Sequence, residues 1–360
     1  MNERLEFTGF IDVHVHFRDP GVPEAETTAS GLKAAQKGGF GGVVVMPNTM
    51  PPIDSAERVR AQYEKAAALG ALGDGTPSLP VLLSSGCITK GRAGIEVADL
   101  EAMAEAGAVF FTDDGTYVSN AKVMEEAMRR AYDLNMVVSQ HALAPGVSEA
   151  EAIKRDLSLC RVTGCRLHIQ HISTAPGVEL IRAAVKEGLP VTAEATPHHL
   201  LLTREDIPAV AGAAGDGTSA LPTFFKMAPP LAGREDRAEL RKAVKEGLLM
   251  FATDHAPHPL AKKLLPYEEA ANGIIGLETA IPITYQVMVE EEGMAIEDWA
   301  KAWWEKPRTI LRMEQSRIGD LRTVVEIGEE RVIDTTKFVS LSRNCPYHGM
   351  KFKAWPKEVI

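Results

Sequence analysis

No apolar run in this chain of 360 residues approaches the ~20 residues that span a bilayer, so no membrane contact is expected. The start, MNERLEFTGF, lacks the apolar core of a secretory signal. Basic charge is in the minority: 39 Lys and Arg face 49 Asp and Glu, a formal net charge of -10. That argues against nucleic acid as the main partner, since phosphate binding needs basic surface. An anionic ligand must therefore be drawn by local positive charge, not by the molecule as a whole. Cysteine is scarce as well. Cys87, Cys160, Cys165 and Cys345 form no C-x-x-C pair, so free buried thiols in a reducing, cytoplasmic compartment are expected. What is left is ordinary globular composition, 45% hydrophobic and 24% charged, enough for one large α/β domain or two modest ones.

What is present is a regular alternation of strand-like and helix-like segments. Strands are predicted over 10–16, 42–46, 79–84, 108–112, 136–140, 166–170, 191–195 and 248–253. Helices are predicted over 26–37, 55–69, 97–106, 120–134, 148–163, 174–187, 234–245, 277–291 and 296–305, with Ser55 as an N-cap and Gly38-Gly39, Gly107 and Gly188 as stops. Strands alternating with helices imply parallel pairing, and eight such units imply an α/β (β/α)8 TIM barrel over 7–316. The tail, 317–360, breaks the pattern and is expected as a small C-terminal appendage packed on the barrel. The stretches 208–224 and 256–276 read as loops; the second is long for a connection.

The first predicted strand, FIDVHVH, carries Asp12, His14 and His16 at two-residue spacing, which puts all three on one face. Two adjacent imidazoles are costly to bury unless something holds them, and a metal ion does. His14 and His16 end strand one, the pair Asp113-Asp114 strand four, His141 strand five, His171 strand six and Asp254 strand eight. The carboxyl ends of barrel strands form one rim, so these distant residues meet in a small volume. Four imidazoles and two carboxylates suit two divalent ions such as zinc.

The ordered set IDVHVHFRDPG, MPNT, FTDDG, QHIST, EATPHHL, FKMAPPL and ATDHAPH resembles the dihydroorotases of the amidohydrolase superfamily, bacterial class I, over Phe7 to Arg312. The resemblance implies two Zn2+ ions per chain, His14, His16 and Asp254 holding one and His141 and His171 the other. Asp114 would bridge them in place of the carboxylated lysine of many relatives, with Asp113 turned away. It implies Asp254 as the catalytic acid/base, and His16, Arg18, Asn48, His258, Asn272 and Gly273 as substrate contacts. Ala228 stands where the family often has Asn. The implied reaction is the reversible closure of N-carbamoyl-L-aspartate to L-dihydroorotate in pyrimidine biosynthesis. The implied partners are the small-molecule substrate, a second copy of the chain, and aspartate carbamoyltransferase. The competing readings are another cyclic-amide hydrolase (hydantoinase, dihydropyrimidinase or allantoinase) and a non-catalytic partner of aspartate carbamoyltransferase. The family's β-domain is expected to be absent or reduced to the tail. Of the other histidines, His168 is expected on the face opposite His171, one of His198 and His199 beside the site, His255 as structural and His348 on the surface.

Overall fold

A computed structural model describes residues 3–72, 79–209, 221–311 and 317–360. Its parallel strands are β2 (Phe10–Val15), β3 (Phe40–Val45), β4 (Val81–Ser84), β5 (Val137–Gln140), β6 (Arg166–Ile169), β7 (Val191–Ala195) and β8 (Leu249–Phe251). They pair in the runs β2-β3-β4 and β5-β6-β7-β8.

Two seams close the ring. The predicted strand 108–112 contributes bridges at Phe111 to Gly86 and Val138. There Phe111 N donates to Val137 O at 3.0 Å and Gly86 N to Phe110 O at 3.1 Å. The extended stretch is too short to register as a regular strand, yet it hydrogen-bonds to both neighbours. At the other seam, His16 N donates to His255 O at 2.9 Å. Asp12 completes it from inside, accepting from Thr253 N at 3.0 Å and from the Thr253 hydroxyl. Asp12 thus shares the face of His14 and His16 but serves the barrel wall.

The helices form because caps and apolar stripes agree. In α1 (Thr28–Lys37) Thr27 and Ser30 form a capping box, Ser55 caps α2 (Ala56–Ala68), and Ser148 with Glu151 boxes α5 (Glu149–Thr163), which Gly164 ends at φ 71. Between these lie α3 (Leu100–Glu105) and α4 (Ala121–Asp133), followed by α6 (Ala175–Glu187), α7 (Pro197–Leu201), α8 (Arg234–Lys245), α9 (Leu260–Lys263), α10 (Ala280–Thr284) and α11 (Ile296–Arg308). The predicted helix 277–291 is divided: α10 runs into a π-helical turn, Tyr285–Glu291. The change falls at Thr284, whose hydroxyl donates to Ala280 O at 2.8 Å and accepts both the Trp299 and Trp303 indoles. Those indoles pack with Phe10 and Phe40, sealing α11 against the barrel. Of the stretch 208–224, residues 210–220 lie outside the described residues.

The tail takes a partner strand from the start of the chain. The sequence reading assigns 317–360 alone to the appendage. The structure builds a three-stranded antiparallel sheet from β1 (Glu3–Thr8), β9 (Arg322–Val332) and β10 (Lys351–Val359), β9 in the middle. β1 therefore sits with the tail, paired along its length with β9 near the far end of the chain. Between β9 and β10 the tail reaches the barrel's upper rim. The Ser340 hydroxyl bonds Glu26, and Asn344 Nδ2 donates to Ala256 O at 2.9 Å and Gly273 O at 3.0 Å.

Candidate metal and substrate site

Six side chains converge above the carboxyl ends of the strands. Ring nitrogens of His14, His16, His141 and His171 lie 3.3, 3.4, 3.5 and 3.8 Å from Asp114 carboxylate oxygens. Asp254 Oδ1 stands 2.9 Å from His16 Nε2 and 3.4 Å from His14 Nε2. His141 Nδ1 and His171 Nε2 are 2.9 Å apart. Among the described residues, two three-residue groups are compact enough to hold an ion: His14, His16, Asp254 and His14, Asp114, His171. Among the predicted ligands, Asp114 is central to all four imidazoles. Asp113 turns away, its carboxylate taking the N–H groups of Ile88 and Thr89 at 2.9 and 3.1 Å.

The rings are oriented from behind. Glu194 accepts from His14 Nδ1 at 2.6 Å, and Asn48 Oδ1 from His16 Nδ1 at 2.9 Å. A neutral imidazole whose Nδ1–H is committed presents a bare lone pair at Nε2. His14 Nε2 is buried and makes no hydrogen bond, although it faces oxygens of Asp114 and Asp254. Lone pairs of nitrogen and carboxylate oxygen gathered this closely are the donor set of a divalent cation, and the residues fit one.

The electrostatics agree. Burial alone would raise the Asp114 and Asp254 carboxyls; nearby His14 and His16 outweigh it and hold both well below the usual range. His14 moves the other way: burial would lower it, but Asp114, Glu194 and Asp254 raise it well above its ordinary value, so the carboxylates favour a positive charge at Nε2, which a proton or a metal ion can supply. Burial lowers His16 and His141. Backbone geometry is unusual at two of the six, with φ 30 at His171 and φ 49 at Asp254. Left-handed backbone at non-glycine residues is strained, of order 1–3 kcal/mol each, and here it turns two strand-end side chains inward.

Beside this cluster is a cavity of about 150 Å³ lined by Arg18, Asn48, His258, Met50 and Pro257. Arg18 Nε donates to Pro257 O at 3.2 Å. Asn48 Nδ2 donates to Asp114 Oδ2 at 3.1 Å, so Asn48 touches the cluster as well as the cavity. His258 Nε2 donates to Asn272 O at 2.7 Å; burial, then Arg18, push its pKa down to about 3. Gly273 N donates to Lys226 O at 3.0 Å, and Gly273 O accepts from Asn344 and Lys263.

Several residues stand elsewhere than the sequence suggests, or escape it. His168 is not on an outer face: Nε2 donates to Glu194 Oε2 at 3.0 Å inside the barrel. Two-residue alternation fails as a guide because β6 ends at Ile169 and His171 has left-handed backbone. His199 holds the turn after Ala228, donating to Pro229 O at 3.1 Å. His198 Nε2 is buried without a partner. His255 is structural, facing Glu26 and accepting from Gly276 N at 3.1 Å. His348 is half-buried and accepts from Thr335 N at 3.2 Å. Glu194 and Arg92 are additions: the Arg92 guanidinium grips the Asp114 carbonyl. A charged residue facing inward in the apolar strand β7 was the available signal for Glu194; no local signal marks Arg92.

A parallel barrel whose rim gathers four imidazoles around shared carboxylates is suited to holding divalent cations that activate water. Solved structures carry the fold: L-hydantoinase from Arthrobacter aurescens superposes with a TM-score of 0.83 at 23% identity, covering 99% of this chain and 84% of that one. Dihydroorotase from Saccharomyces cerevisiae in complex with 5-fluoroorotic acid gives 0.77 at 20%, covering 99% of both. A sequence profile described as dihydro-orotase-like matches residues 3–167. Dihydroorotase of Bacillus thuringiensis (strain Al Hakam) is 37% identical over 388 residues, which is 100% of this chain and 86% of the relative. That of Bacillus cytotoxicus is 36% identical over 384 residues, 99% and 85% of the two chains. The chain belongs to the dihydroorotase family. No helix among the described residues is long and apolar enough to cross a membrane.

Proposed function

We propose that the chain interconverts L-dihydroorotate and N-carbamoyl-L-aspartate, the reaction for which its relatives are named. The observation that carries this reading is the convergence of His14, His16, His141 and His171 on the Asp114 carboxylate, with Asp254 against His14 and His16. His14, His16 and Asp254 would hold one zinc ion, His141 and His171 a second, with Asp114 between them. When bound, such ions polarise the ring carbonyl and lower the pKa of water.

The protein's own groups do the rest. Asp254, held ionised, accepts the proton of the attacking water and delivers it to the amide nitrogen as the ring C–N bond breaks. In the biosynthetic direction it takes the ureido proton. Arg18 offers a planar fork to the substrate carboxylate that the reaction leaves unchanged. Asn48 and His258 complete that side of the pocket, and the backbone at Asn272 and Gly273 borders the ring. Arg18 supplies the local positive charge that a protein of net charge -10 needs to draw an anionic substrate. The proposed setting is cytoplasmic, as a homodimer or beside aspartate carbamoyltransferase.

The test is metal analysis of the purified protein together with dihydroorotate assays in both directions, set against hydantoin and allantoin. About two zinc ions per chain and preference for dihydroorotate are expected. Turnover of hydantoin or allantoin instead moves the activity to those hydrolases; a folded chain with neither metal nor turnover leaves a scaffolding role.

A further inference from the structure

Lys263 is fully buried, 0% exposed, at the end of the short helix α9. Among the described residues its ammonium meets three backbone carbonyls: Ala271 O at 2.8 Å, Gly273 O at 3.0 Å and Lys226 O at 3.1 Å. It makes no ion pair among the described residues, and the one charged neighbour acting on it is another cation, Lys226. Burial, then Lys226, push its pKa down to about 7. For packing alone this is a costly choice. Methionine would fill similar volume with no cation to desolvate.

Ala271 and Gly273 flank Asn272, whose carbonyl is the partner of the His258 imidazole. His258 in turn lines the cavity with Arg18. Gly273 sits at φ 140, and a Cβ there would come within 3.0 Å of His258 Nε2, so this backbone is pressed directly against the ring. The third carbonyl, of Lys226, also accepts Gly273 N–H at 3.0 Å. One ammonium therefore clamps both sides of the peptide that holds His258 and ties that peptide to a second loop. Lys226 reinforces the loop from outside, its Nζ donating to Glu268 O and Ala270 O at 2.8 Å each. Thr223 anchors the helix end by donating to Lys263 O at 2.5 Å.

We propose that Lys263 is a positioning residue for substrate recognition: through the Ala271 and Gly273 carbonyls it sets Asn272, and through Asn272 it sets the His258 ring as a wall of the pocket beside Arg18. The inference rests on the proposed substrate geometry but not on the substrate's identity. Lys263 touches neither the six-residue cluster nor Asp254, so its loss acts on binding and spares chemistry.

The experiment compares the wild-type enzyme, Lys263→Met and Lys263→Gln as metal-loaded full chains. KM, kcat, bound metal per chain and Tm are read on whichever ring the wild type turns over, dihydroorotate or hydantoin. Lys263→Met is expected to raise KM about tenfold or more, with kcat within about threefold and metal content unchanged. Lys263→Gln, which keeps an amide donor on a shorter stem, is expected to fall between. An unchanged KM overturns the proposal, and so does a joint loss of kcat, metal and Tm, which marks a purely structural role. If Lys263→Met does not fold, Lys263→Gln decides by the same two criteria. A wild type that rejects dihydroorotate but accepts hydantoin would refute the proposed function and leave the Lys263 comparison intact.

Discussion

One oxygen of Glu194 accepts His14 Nδ1 at 2.6 Å while the other accepts His168 Nε2 at 3.0 Å. The same carboxylate takes His171 N at 3.1 Å. Glu194 thus sets the tautomer of His14 and the backbone of His171 without entering the cluster. Removing its charge in Glu194→Gln is expected to weaken metal retention by about 10–100-fold. Chelator competition followed by metal analysis reads this directly; retention equal to wild type would refute the orienting role.

Asp254→Asn keeps the side chain's shape but cannot shuttle a proton. Metal is expected to stay bound while turnover falls by about two to four orders of magnitude. Single-turnover rates on metal-checked protein measure it. Near-normal turnover would sink the acid/base assignment.

Arg18→Lys retains charge but loses the planar fork. The expected cost is about 2 kcal/mol in kcat/KM, roughly thirtyfold and mostly in KM. Steady-state kinetics with dihydroorotate decide, since an unchanged KM means the carboxylate lies elsewhere.

Gly273→Ala places a methyl 2.7 Å from Ala256 Cβ at a backbone φ of 140. Strain of about 1–3 kcal/mol is expected, with a lower Tm and a higher KM because the displaced peptide carries Asn272 O away from His258. A thermal melt and a Michaelis curve suffice; no change in either contradicts this account of the glycine.

Asp156 is buried, and burial pushes its carboxyl up to about 6 despite the Arg155 contact at 2.6 Å. A native pKa above the ordinary carboxylate value means that the native state binds the proton more tightly between roughly pH 4 and 6. Stability from this group is present below pH 4 and lost as pH rises to 6, by at most about 3 kcal/mol. Asp156→Asn removes that slope. From pH 4.5 to 7.5 the urea midpoint of the variant should rise relative to that of the wild type, and an unchanged difference between the two proteins would refute the assignment. Arg155 stays engaged with Val118 O at 2.9 Å and stacks on Tyr117, so the substitution orphans no charge.

Much of this molecule could be read from local spacing. The Ser55 cap, the glycine stops and the alternation of buried runs placed most of the barrel's elements to within a few residues. The ligand types at strand ends, with parallel topology, brought His14, His16, Asp114, His141, His171 and Asp254 to one rim. These are consequences of short-range chemistry: a side chain's face follows from backbone period, and a strand end from the turn after it.

Tertiary structure alone decided the supporting cast. Whether His168 faced Glu194 depended on where extended backbone stopped, and a left-handed residue at His171 broke the count. That β1 pairs with β9, that Asn344 reaches the site from the tail, and that the Lys263 ammonium closes on carbonyls of its own loop all rest on contacts between segments with no shared period. A local pattern states which face a residue shows; only the closed ring and its packed loops state what that face meets.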